Sequence, residues 1–202
     1  MKKDTKEMIL LEAFKLFAIN SYEDVTFSKL EANTKLTRGA IMYHFPTKEL
    51  IFKNMCDKYL LNGNSIIEKL NEKVSEGISL KNFIKEYLIV IKNTKDMFFE
   101  IGVKNINRAY INITNQAAYN YPSFEIKANK WQTFQVYMWN NVIVKAAKSG
   151  EIRNDIDLNV LADLFEDIYC GIAYSALILP DGIDVERLEK AFDLVYNTIK
   201  KN

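Results

Sequence analysis

The stretch Thr37–Lys48, TRGAIMYHFPTK, contains the single histidine of the chain, His44, and runs from a threonine through Pro46 without one acid. The spacing predicts a short helix over 38–45, with Thr37 as its N-cap and Pro46 as its stop, because proline lacks an amide donor and its ring clashes with a preceding helical turn. Upstream, residues 27–34 read as a second short helix, separated from the first by only Lys35, Leu36 and Thr37. Neither segment is long enough to be stable alone. Two such helices joined so tightly have the layout of a helix-turn-helix, in which one helix braces and the second enters the major groove of DNA.

The chemistry of the second helix suits that task. Capping by Thr37 leaves backbone N–H groups at the helix start available to a phosphate oxygen. Arg38 can donate a fork of hydrogen bonds to guanine or phosphate, and Gly39 and Ala40 are small enough for close approach to a groove. Tyr43 and His44 offer donors to the DNA backbone, and Lys48 adds a point charge. Leu30, Leu36, Ile41 and Phe45 are core candidates beneath them.

Outward from this stretch the chain reads as helical throughout. Three prolines and seven glycines in 202 residues, with little period-two alternation, argue against strands. A first helix is expected over 6–20, with Ile9, Ala13, Leu16 and Phe17 on one face. A long helix should begin at Lys48 behind a Thr47 cap, with Leu50, Met55, Tyr59 and Leu60 in the core. Further helices are expected near 79–93, 96–119, 123–148, 158–179 and from Val185 onward. Two stripes stand out: Trp131, Phe134, Met138 and Val142, then Val185, Leu188, Phe192, Val195 and Ile199. GEIRNDID, residues 150–157, is a loop, and PDG at 180–182 stops the helix before it.

Residues 5–60 as a whole resemble the DNA-binding domain of the TetR family of bacterial repressors. That family's pattern has a glycine-tyrosine corner, a threonine opening the bracing helix, and Gly-x-x-Tyr-x-x-Phe-x-x-Lys-x-x-Leu further on. Here Ser21-Tyr22 stands at the corner, followed by Val25-Thr26, Leu30, Gly39, Phe45, Lys48 and Leu50-Ile51. Three positions depart from the pattern. Glu31 stands where alanine is usual. Lys35 stands where the turn has glycine, at a strain cost of order 1 kcal/mol, with Glu31 one helical turn away as its expected ion-pair partner. Met42 replaces a tyrosine that contacts the DNA backbone. The candidate DNA-contacting set is Thr26, Ser28, Lys29, Thr37, Arg38, Gly39, Ala40, Met42, Tyr43, His44 and Lys48.

The resemblance implies an all-α protein. Its N-terminal three-helix helix-turn-helix domain would span 1–60, and a helical bundle for effector binding and dimerisation would span 61–202. It implies a homodimer on a palindromic double-stranded DNA operator, regulating transcription as a repressor released by an unknown small-molecule effector. Leu164, Ile168, Gly171, Ser175, Leu188, Phe192 and Val195 are the candidate dimer contacts, where small residues allow close helix approach. The candidate effector residues are Lys104, Arg108, Tyr110, Trp131, Phe134 and Tyr137. They lie in a basic, aromatic block, 101–150, with six Lys/Arg and a single acid, Glu125. An apolar effector bearing a carboxylate would pair there with Lys104, Arg108 or Lys130. The same stripe also reads as ordinary core.

Composition bounds the alternatives. Hydrophobic residues make up 49% and charged residues 26%, with net charge +1, as in a globular protein. No uncharged run reaches transmembrane length and no signal peptide is apparent, so a cytoplasmic protein without a membrane partner is expected. Cys56 and Cys170 lack metal-type spacing and read as buried free thiols. With one histidine, no HxxxH and no glycine-rich phosphate loop, no metal, cofactor or enzymatic centre is expected. The competing reading is a ligand-binding or scaffold protein whose DNA reader no longer functions.

Overall fold

The computed structural model describes residues 5–61 and 65–201. Its helices are α1 (Thr5–Ile19), α2 (Phe27–Thr34), α3 (Arg38–His44), α4 (Lys48–Cys56), α5 (Ser65–Ser75), α6 (Leu80–Glu100), α7 (Ile106–Asn120), α8 (Phe124–Ser149), α9 (Leu158–Ser175) and α10 (Val185–Ile199). A wider helical turn, Asp57–Leu61, extends α4, and a tighter one, Ala176–Ile178, extends α9. Among the described residues, extended pairing is confined to one bridge between Ile152 and Lys200. The expectation of a helix running on from α4 falls partly outside the described residues.

The residues fall into two units, one drawn from Met1–Gly63 with Arg108–Ala128 and the other from Asn64–Asn107 with Asn129–Asn202. In the first unit, the short helices are fixed by local chemistry and by one shared core. Thr26, Thr37 and Thr47 each accept an amide three residues on, opening α2, α3 and α4. Such a cap contributes about 1 kcal/mol. Ile9, Ala13, Phe17, Leu30, Ile41 and Phe52 are fully buried, and Phe17 meets Phe52 edge-on at 4.7 Å. Leu36 is only half-buried, and Leu50, expected in the core, is 40% exposed because α4 turns that side outward.

Lys35 adopts the left-handed conformation, φ 60° and ψ 20°, and its N–H closes α2 on the carbonyl of Glu31. The expected Lys35–Glu31 ion pair does not form. The Lys35 ammonium donates to the Ala32 carbonyl at 2.7 Å, and Glu31 turns to α3. From α7, Asn112 Nδ2 donates to the carbonyls of Phe17 and Ala18, and Gln116 Nε2 to those of Phe17 and Asn20. These amides satisfy the orphan carbonyls at the end of α1.

In the second unit, six aromatic rings interlock. Trp139 stacks on Phe165 at 4.7 Å and meets Phe83, Tyr87 and Phe192 at 4.8–5.5 Å, while Tyr169 meets Tyr87 edge-on. The expected break near residue 94 does not occur. Thr94 bonds back to the Val90 carbonyl, Lys95 reaches the Ile183 carbonyl, and α6 continues to Glu100 before the chain turns at Gly102, φ 94°. Within the 150–157 loop, Glu151 accepts the N–H groups of Leu80 and Lys81, capping α6 from 71 residues away. Gly182, φ 73°, is required by its turn, since a methyl there would lie 2.8 Å from the Asn107 amide oxygen. Cys56 is buried, but Cys170 is exposed, contrary to expectation, because its position on α9 looks outward.

Candidate nucleic-acid interface

Helix α3 buries one side chain, Ile41, and turns the rest of its surface outward. Tyr43 is 85% exposed and Met42 40%, with His44 half-buried and edge-on to Tyr43 at 5.2 Å. Gly39 is exposed, and nothing lies within 4 Å of where a side chain would begin. Arg38 is exposed and holds its guanidinium over the Phe27 ring at 5.2 Å, a cation–π contact that limits its freedom without burying it. Ser28 and Lys29, on the first turn of α2, are also exposed, and the Lys29 ammonium donates to the Asn20 side chain at 3.2 Å. Thr26 and Thr37 spend their hydroxyl oxygens as caps.

Lys48 and the Arg38 N–H, both expected to face DNA, also have internal partners. Lys48 donates to the Tyr22 carbonyl at 2.9 Å and stands 4.2 Å above the Tyr22 ring, so it pins the corner before α2 to the start of α4. The Tyr22 hydroxyl is pushed up to about 12 by burial and then by the Glu49 carboxylate. The Arg38 N–H, expected to be open to phosphate, donates to Glu31 Oε1 at 2.7 Å. A side-chain carboxylate therefore occupies part of the positive end of the α3 dipole. The departure at position 31 thus has a local role, tying α2 to α3 across the turn.

The family model for bacterial regulatory proteins of the tetR family matches residues 9–55, which holds most of α1, all of α2 and α3 and most of α4. Over these residues the chain is similar to the tetR family of bacterial regulatory proteins. Along nearly its whole length it is similar to the HTH-type transcriptional repressor AcnR of Corynebacterium glutamicum. The two are 26% identical over 201 residues, covering 98% of this chain and 94% of that protein. Solved structures share the fold. A transcriptional regulator from Saccharomonospora viridis in complex with choline aligns at TM-score 0.71 and 17% identity, over 98% of each chain. The SmeT–triclosan complex aligns at TM-score 0.71 and 18% identity, over 99% of this chain and 93% of that one.

The expected effector residues divide between the units. Arg108 and Tyr110 belong to the first, where Arg108 is exposed and Tyr110 packs edge-on against Phe14 at 6.1 Å. In the second unit Trp131 and Phe134 stack at 5.6 Å, half-buried against the core, while Lys104, Lys130 and Tyr137 are exposed. The buried ionisable group there is an acid. Glu166 is 2% exposed, and burial raises its carboxyl above the usual carboxylate range. Sequence reasoning passed over Glu166, although the signal was legible. It falls on the apolar stripe Ala162, Phe165, Tyr169, Ile172, at helical spacing.

The dimer candidates also divide. Leu188 and Phe192 are fully buried within the protomer, packed in the aromatic core, so they have no area left to cover against a partner. Ile168 and Val195 pack partly against that core. Leu164, Gly171 and Ser175 are exposed, and Val160, Tyr174 and Ile178 continue the same apolar face along α9, with Leu194 exposed on α10.

Proposed function

We propose that the protein is a homodimeric transcriptional repressor that binds a palindromic operator and leaves it when a small molecule occupies the bundle of the second unit. The observation that carries this reading is α3: a helix fixed by Thr37, Glu31 and Ile41, whose outward side chains Arg38, Met42 and Tyr43 and bare Gly39 have little internal use. A rigid element with an accessible, acid-free outer face is what groove reading needs. We take 1–60 as the DNA-binding domain and 61–202 as the effector and dimerisation domain, with Asn112 and Gln116 gripping α1. The small-molecule half of the reading is favoured by the triclosan and choline complexes of the similar folds and by the unpaired polar groups in the second unit. The dimer would be built on the exposed face of α9 and Leu194 of α10, and a helix-turn-helix dimer reads its operator with two recognition helices one DNA turn apart. No helix among the described residues is long and apolar enough to cross a membrane.

Selection of bound duplexes from a random-sequence pool at several salt concentrations tests the reading. A recovered palindrome, with affinity falling steeply with salt, is expected. Arg38→Ala should weaken that binding by about 1–3 kcal/mol. Sequence-blind retention alone would refute the operator and favour a ligand-binding protein without a working reader, the reading to which the occupied Arg38 N–H gives some weight.

A further inference from the structure

We propose that the effector is an organic ammonium ion with an apolar body, held at Glu166. This rests on the reading of the second unit as the effector domain. Glu166 is sealed in the bundle between Tyr87 of α6, Gln132 and Trp139 of α8 and Tyr169 of α9. Its Oε1 accepts weakly from Gln132 Nε2 at 3.4 Å and Cys170 Sγ at 3.8 Å. Its Oε2 has no hydrogen-bond partner among the described residues, and neither do the Tyr87 hydroxyl and Trp139 Nε1. Trp139 stands near enough to favour the carboxylate without closing a bond of normal geometry. No lysine, arginine or histidine among the described residues pairs with Glu166, and the nearest further charge, Asp167, has the same sign.

A buried carboxyl group without a counter-charge is costly, and buried acids are ordinarily paired. Three unpaired polar atoms in one core are more than packing needs. Two of them, Glu166 Oε2 and the Tyr87 oxygen, can accept from a cation, while Trp139 Nε1–H can only donate. An ammonium group has donors for both Glu166 Oε2 and the Tyr87 oxygen. An anionic effector would meet repulsion from the Glu166 carboxylate, and a neutral apolar one would leave that carboxyl as isolated as before. The approach is also marked. A surface groove of about 370 Å³ on α8, lined by Gln132, Thr133, Val136, Tyr137 and Asn140, has Gln132 at one side, and Gln132 is the residue that touches Glu166.

The test is calorimetric titration of the full chain, without DNA, with short phenylalkylammonium ions and with the matched alcohols and carboxylates. The ammonium series should bind at least about tenfold more tightly than either counterpart. Glu166→Gln should lose that preference while binding the alcohols within about twofold of the parent chain. Tyr87→Phe, which removes one acceptor and keeps the ring, should weaken the ammonium ions several-fold. Equal affinity for all three classes, absence of binding by the ammonium series, or a preference that survives Glu166→Gln would each overturn the proposal. Because no operator is present, these results are independent of whether α3 reads DNA. Release of the selected operator by the same ions, followed separately, bears on the repressor reading.

Discussion

Gly39→Ala separates what α3 does for the fold from what it does for DNA. Gly39 is the second residue of α3, has no positive φ, and a methyl added there meets no atom within 4 Å. Within the protein the change is therefore favourable. Alanine loses less backbone freedom on folding than glycine, and in a helix the exchange is worth about 0.5–1 kcal/mol. For a chain of this size that corresponds to a rise in melting temperature of roughly 1–4 °C. At a close-packed interface the same methyl is an intrusion, costing about 1–3 kcal/mol, as an extra carbon does in a packed core. That is roughly a 5- to 150-fold loss of operator affinity. Thermal melts followed by circular dichroism and fluorescence anisotropy with the selected operator read the two effects separately. The salt slope should stay unchanged, since no charge is altered. A higher melting temperature with unchanged operator affinity would show that the first turn of α3 does not approach DNA. A lower melting temperature would refute the account of the open position itself.

The remaining predictions concern the acids and the lysine with internal partners. Glu31→Gln keeps an acceptor for the Arg38 N–H but removes a negative charge from the reading end of α3, so operator affinity measured by anisotropy should rise several-fold at low salt. The same variant should lose about 0.3–1 kcal/mol of stability, the worth of a carboxylate at a helix N-terminus, in denaturant titration. Lys48→Met should lower stability by about 1 kcal/mol through loss of the bond to Tyr22, while the salt slope of operator binding stays as it was; a slope smaller by about one would return Lys48 to the DNA contacts. Glu166 gives a pH signature. Its folded carboxyl is raised, so its contribution is most favourable below the usual carboxylate range and is lost as pH rises through the folded value. Glu166→Gln should therefore melt higher than the parent chain at about pH 8 and nearly level with it at about pH 4, and an equal gap at both would sink the assignment.

The sequence by itself determined the helices of the reader, because their signals are local. A threonine hydroxyl reaches an amide three residues away whatever else the chain does, so Thr26, Thr37 and Thr47 mark helix starts in the sequence and in the structure alike. The left-handed turn at Lys35 came from the resemblance, in which glycine stands at that position, and the backbone takes it, φ 60°. Apolar spacing likewise showed that Leu188, Phe192, Met138 and Val142 are covered. It could not show by what, since a stripe states that a face is buried and is silent on whether the cover is its own protomer or a partner. Leu188 and Phe192 were placed at a dimer contact and lie inside the bundle. The far ends of long polar side chains needed the tertiary structure most. Glu31 reaching Arg38, Lys48 reaching Tyr22, and Glu151 capping α6 all depend on which elements lie side by side. Continuation of α6 past residue 94 was decided in the same way, with Lys95 anchored on a distant carbonyl. Glu166 combines both kinds of information. Its place on an apolar stripe is written in the sequence, but its isolation from the cations among the described residues is a property of the packed bundle, since electrostatic cost is set by the surroundings and not by the residue.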